Sequence, residues 1–229
     1  MRTLILIGAL LMLALLWLGP LPRLAASDFT AHMTMHMGVV ALAAPLLALA
    51  LAGGPFDPAR RHPVLFGALA ASIVELVVVW AWHAPALHHA ARTSATWLTV
   101  EQSMFLICGF ALWMSALGGD RVGSRAGAGV IALLLTSMHM TLLGSLIALS
   151  PRPLYSHADV RGHVGALDEQ QRGGAIMLVI GGASYLAGGL VLSARLLGAT
   201  AGTPQWTCGR RGHGHSAGAD DEGRHVWTR

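Results

Sequence analysis

Residues 31–52 read AHMTMHMGVVALAAPLLALALA. From Gly38 onward this stretch has no charge and no side chain able to hydrogen-bond. A membrane-spanning helix needs about 20 such residues, so the run reads as a transmembrane segment. Its first residues need a separate explanation, because a hydrocarbon-spanning helix has no use for two imidazoles in its opening turns. His32 and His36 are four apart and share one helix face, with Met35 beside them. Imidazole and thioether are the donors that soft copper ions prefer. Met33 and Met37 fall on a different flank, so Met33 enters the candidate set only as an auxiliary donor. The plain alternative is a pair of interfacial histidines with lipid-facing methionines as filler.

Outward from this stretch, the chain has the composition of a membrane protein. It has 229 residues, is 54% hydrophobic and 11% charged, and has a mean hydropathy of +0.59. Six apolar segments lie near residues 3–18, 31–52, 64–82, 97–117, 127–149 and 174–197. They are separated by Gly, Pro and Arg punctuation such as Gly53-Gly54-Pro55-Phe56-Asp57-Pro58 and Ser150-Pro151-Arg152-Pro153. The expected fold is therefore all-α: a polytopic bundle of about six transmembrane helices over residues 1–197. A polar tail over 198–229, rich in His, Arg and Gly, has the composition of disorder. The first segment reads as an uncleaved helix, the alternative being a signal peptide ending near Leu24-Ala25-Ala26-Ser27.

All 15 basic residues are Arg, and they sit in short loops and the tail with no basic stripe, which excludes a nucleic-acid partner despite a pI near 10. Cys108 lies in an apolar run and Cys208 in the tail, so there is no disulfide framework and no CxxC motif. Counting Arg by loop puts both termini in the cytoplasm. The loops at 20–30, 83–96 and 150–172 then face outward, and most of the chemistry gathers on that side.

On the outer side lie His32 and His36, His83 with His88 and His89 just beyond it, and Glu101. His83 reads either as a metal ligand or as a helix-end imidazole that bonds the last carbonyls before Pro85. Glu101 reads either as a site carboxylate or as an acidic helix start stabilised by the dipole. Glu75 and His139 lie deeper, where ionisable groups are costly and are functional candidates by default; their similar depth suggests that they pair. Arg152 and Asp168 read as a surface salt bridge or as a docking surface for a partner. His213, His215 and His225, with Cys208, resemble a low-complexity metal-binding tract or a solvated end.

The ordered set of these pieces resembles the CtaG-like cytochrome c oxidase assembly factors. The matching residues run from His32-Met33-Thr34-Met35-His36-Met37 through Ala44-Pro45-Leu46-Leu47, Trp82-His83-Ala84-Pro85, and Glu101 with Phe105 and Trp113. They continue with Ser150-Pro151-Arg152-Pro153-Leu154-Tyr155 and Asp168-Glu169-Gln170-Gln171 with Gly173, Gly174 and Met177. One departure is Gln102, where the family often carries His after the Glu. A ligand at that position is either missing or supplied by Glu101. The resemblance implies assembly of the oxidase in the bacterial inner membrane, with oxidase subunits as partners.

Direct Cu(I) handling is the inference from the residues themselves: a non-enzymatic factor that holds copper at the outer surface, fed by a periplasmic copper chaperone. The alternatives are a b-type haem carrier using His36, His83 or His139, a copper permease, and a copper-independent scaffold. The permease lacks a ladder of donors in the inner half. A hydrolase has no motif to support it.

Overall fold

The computed structural model describes residues 1–119, 124–155 and 162–201. Among them every regular element is helical and no strand is present. The elements in chain order are α1 (Arg2–Leu18), α2 (Leu21–Ala25), α3 (Phe29–Met37), a π-helical turn (Gly38–Ala43), α4 (Ala44–Leu51), α5 (Pro58–Arg61) and α6 (Ala68–Trp82). They continue with α7 (Pro85–Thr93), α8 (Ala95–Leu117), α9 (Ser124–Ala148), α10 (Gly162–Ile176), a second π turn (Met177–Gly181) and α11 (Gly182–Ala201). The expected tail residues Cys208, His213, His215 and His225 lie outside the described residues.

Four continuous helices are long and apolar enough to cross a membrane: Phe29–Leu51, Ala95–Leu117, Ala126–Ala148 and Gly165–Gly198. The pair α6 and α7 forms a fifth span if taken together, bent by 73°. α1 is a shorter apolar helix of 17 residues. All six apolar segments of the sequence are thus helices, with shifted ends. The second span starts earlier, at Phe29, because the Asp28 carboxylate caps it, accepting from the Ala31 N–H at 3.0 Å. The last helix begins well before residue 174. Its polar opening turns, expected as loop, stay helical because their polar groups bond to other elements: Glu169 accepts from the Phe29 N–H, and Gln170 donates to Ile147 O at 3.2 Å.

The π turn in the second span has a local cause. Pro45 has no N–H to give the carbonyl of Ala41, and its ring crowds that carbonyl. The chain widens there, and the Ala44 N–H reaches back to Val39 O. The carbonyls of Val40 and Ala41 are then open in a region without water. Side chains of α11 take them: Ser184 donates to Ala41 O at 2.7 Å and Tyr185 to Val40 O at 3.3 Å. Close helix approach elsewhere rests on small residues. A Cβ on Gly174 would lie 2.5 Å from Ala148 N, and one on Gly144 would lie 2.6 Å from Leu178 N.

The second span and α8 both start at the end of the bundle that carries the histidines. At their other end, Asp57 organises the turn after α4. Its buried carboxylate accepts from the backbone N–H groups of Gly53 (2.7 Å), Ala59 (2.9 Å), Gly119 (3.0 Å) and Arg60 (3.4 Å). Gly53 has φ +67°, the left-handed geometry that glycine adopts without strain. Burial pushes the Asp57 carboxyl up, but these four donors outweigh it and hold its pKa below the ordinary carboxylate value.

This stabilisation is present above the unfolded carboxylate pKa and is lost as pH falls through the lower folded pKa. Asp57→Asn is expected to cost about 1.5–3 kcal/mol at neutral pH. The deficit relative to wild type should shrink only below about pH 4. Thermal unfolding of the detergent-solubilised protein against pH checks this, and a deficit independent of pH would contradict it.

Candidate functional site

At the histidine-bearing end, three elements converge on one buried cluster. α3 supplies His32 and His36 from one face, α8 supplies Glu101, and the bent pair α6–α7 supplies His83 at the bend and His88 one turn beyond. Ligand-capable atoms of His32, His88 and Glu101 all lie within 4.8 Å of one another. His32 Nε2 meets both Glu101 carboxylate oxygens at 3.2 Å. Gln102 donates through Nε2 to Glu101 Oε2, also at 3.2 Å. The residue that departs from the family pattern therefore steadies the carboxylate.

One turn deeper, the His36 ring lies 5.3 Å from that of His83 and 3.9 Å from that of Phe105, measured between centroids. His36 is fully buried, and neither of its ring nitrogens has a hydrogen-bond partner. His83 Nδ1 donates to Val79 O at 2.6 Å. That bond fixes the neutral tautomer and leaves the Nε2 lone pair free, and His83 Nε2 is buried without a partner. His83 thus serves the helix end through Nδ1, while its other ring nitrogen is left without a partner. His32 Nδ1 is likewise buried and unpartnered. An unmade hydrogen bond at a buried polar atom costs about 1–3 kcal/mol, and here such atoms gather in one place.

The aqueous end of the cluster is closed by rings. Phe29 stacks on Tyr155 at 4.9 Å, and His88 contacts Phe29 at 5.2 Å, Tyr155 at 4.4 Å and His32 at 4.7 Å. The Tyr155 hydroxyl donates to His83 O at 2.8 Å. Arg92, also on α7, is buried and donates to Ala26 O at 3.4 Å, tying α7 to the turn before α3.

The remaining expected residues lie elsewhere. Met35 is buried and faces a cleft towards α8 together with Gln102. Met33 packs on the other flank, against Phe29 and Gly173 of α10. Glu75 does not pair with His139. Tyr185, concealed in an apolar run, places its hydroxyl 2.5 Å from Glu75 Oε1. His139 is buried with both ring nitrogens unpartnered and stands outside the His32–His88–Glu101 group. Arg152 and Asp168 do not form the expected bridge: Asp168 meets Arg172 at 4.0 Å on the exposed face of α10, and the carbonyl of Arg152 accepts from Gln170 at 3.3 Å.

In the sequence His88 carries little weight, because residues 83–96 read as a loop. A usable signal was present: Pro85 as a helix start, with His88 and Arg92 four apart on one face.

Compared with protein families, residues 1–199 match the model of the cytochrome c oxidase caa3 assembly factor, Caa3_CtaG. No curated protein and no solved structure matches the chain.

The bond between His32 and Glu101 predicts strong coupling. In a cycle of His32→Gln, Glu101→Gln and the double variant, thermal stability in detergent should reveal an interaction of about 1–3 kcal/mol. Additive single effects would mean that the pair does not form.

Proposed function

From its place in the cytochrome c oxidase caa3 assembly factor family, to which this chain belongs, we propose that it holds Cu(I) transiently as cargo in the buried histidine cluster and passes it to the oxidase during assembly. Association with the oxidase follows from the family. The copper step, the outward orientation of the cluster and residence in the bacterial inner membrane belong to the proposal. The role is non-catalytic: the chain binds and releases an ion and makes or breaks no covalent bond.

One observation carries this reading, the row of buried imidazole nitrogens left without partners: His32 Nδ1, both nitrogens of His36, and His83 Nε2. In a region with no water to replace the missing bonds, such atoms are expensive unless something else uses their lone pairs. Neutral imidazole suits Cu(I), and the thioether of Met35, in the adjoining cleft, adds a soft donor. Two or three imidazoles with a carboxylate hold copper less permanently than a set of thiolates, which suits a factor that must let go. Glu101, bonded to His32, would orient that ring for binding.

The contact between His36 and His83 weighs against the haem reading. Their ring centroids are 5.3 Å apart, in direct contact, which leaves no room for a porphyrin between them. A periplasmic copper chaperone as donor is part of the proposal, since a cluster at the outer surface would be loaded from that side.

The full chain in detergent, titrated with Cu(I) against a chromophoric chelator, should bind copper stoichiometrically. His32→Ala with His36→Ala should abolish that binding, and Glu101→Gln should weaken it by about 10–100-fold. In copper-limited cells the double variant should remain in the membrane while oxidase activity falls. Equal copper uptake by wild type and the double variant, or uptake by neither, would overturn the copper reading and leave an assembly scaffold.

A further inference from the structure

The histidine cluster is sealed. His32, His36, His83, His88 and Glu101 are each 7% exposed or less. Phe29, His88 and Tyr155 cover the aqueous end, and the tie from Arg92 to Ala26 O holds α7 over it. An ion that is to enter and leave needs a route that does not dismantle this cover.

A cleft approaches the cluster on one side. A cleft with a cavity volume of about 140 Å³ opens between the end of α1, the turn at α2 and the first turns of α8. Trp17, Met35, Leu98, Thr99, Gln102 and Ser103 line it. Two of these residues belong at once to the cleft and to the surroundings of the cluster. Gln102 bonds the Glu101 carboxylate, and Met35 stands between His32 and His36 in α3. Gln102 is 3% exposed, and its Oε1 has no hydrogen-bond partner; the same is true of the buried Trp17 Nε1. The cleft therefore offers, along one wall, an unsatisfied amide oxygen and a thioether leading to a carboxylate and an imidazole. This sequence of neutral and anionic donors suits a small soft cation that must shed its previous ligands one at a time.

We propose that this cleft is the lateral port through which Cu(I) reaches and leaves the cluster, with the Met35 thioether as the first protein donor and the Gln102 side chain as the gate before Glu101 and His32. The inference rests on the copper reading above and adds the route. Met35 then acts in transfer, and the final resting place of the ion is the histidine cluster. Flexible, polarisable Met side chains suit a transient contact of this kind.

The test plugs the port without touching the cluster. Thr99 is exposed at the rim, so Thr99→Trp places an indole across the mouth. The full-length protein in detergent is mixed with the Cu(I)–bicinchoninate complex in a stopped-flow instrument, and loss of the chelator colour is followed. Release is then measured by adding excess chelator. Thr99→Trp should reach the wild-type copper content, with loading and release both slowed at least about tenfold. Thr99→Ser should behave as wild type.

Thr99→Cys, folded and purified first and then capped with a bulky or a small methanethiosulfonate, repeats the test without relying on the folding of the Trp variant. Wild type treated with the same reagents controls for Cys108 and Cys208. Wild-type rates with a bulky plug in place, at full copper content, would overturn the port while leaving the copper reading intact. A wild-type protein that takes up no copper would overturn both.

Discussion

A polar group carried into hydrocarbon keeps the cost of its lost water unless another protein group takes the place of that water. Most of this structure follows from that constraint. Pro45 opens two carbonyls in the middle of the second span, and α11 answers with Ser184 and Tyr185. The same Tyr185 hydroxyl engages Glu75, so one phenol satisfies both a backbone irregularity and a buried acid. At the end remote from the histidines, Asp57 collects four backbone N–H groups and thereby joins the turn after α4 to the end of α8. Glu169 and Gln170 bond the helix ends next to the cluster in the same way. Against this background, buried nitrogens of His32, His36 and His83 are left without partners on neighbouring side chains, as are both nitrogens of His139 elsewhere in the bundle.

The architecture was legible in the sequence wherever the signal was local. Six apolar runs and their Gly, Pro and Arg breaks place the helices, because each span needs a minimum length of uninterrupted hydrocarbon side chains. His32 and His36 were legible as a pair because four residues return a helix to the same face. Glu101 was legible from its place at the head of a span. What remained hidden depends on contacts across the bundle. Tyr185 looks like one more apolar residue in its run, and only the approach of α11 to α6 and to the π turn gives it Glu75 and Val40 as partners. His88 sat in a stretch too polar to read as a membrane element. The 73° bend turns that stretch into a cover whose buried face carries His88 and Arg92.

Helix ends failed in the sequence reading for a related reason. Hydropathy marks where hydrocarbon begins, and the last helix continues past that point on the strength of polar bonds. The turns holding Glu169 and Gln170 are hydrophilic by composition, yet their side chains are taken up by α3, α9 and the loop at Arg152. Composition reports which residues tolerate lipid; it does not report which polar residues have found partners.

Two layers of polar residues lie inside the bundle. Around Glu75, Tyr185 bonds both the acid and the opened backbone, and Ser72 and Thr136 bond each other at 3.0 Å, while Glu75 Oε2 has no hydrogen-bond partner. That layer is coherent as a device that holds α6, α9 and α11 in register. One to two turns nearer the membrane surface, the donors are more numerous than the bonds. Glu101 is engaged by His32 and Gln102, but His32 Nδ1, both ring nitrogens of His36 and His83 Nε2 have no hydrogen-bond partner. Natural cores seldom leave several such atoms together, because each costs about 1–3 kcal/mol. An arrangement that is both sealed by aromatic rings and short of partners is poorly explained by packing alone. On the copper reading proposed above, a bound ion would supply the missing interactions for part of the protein's working cycle.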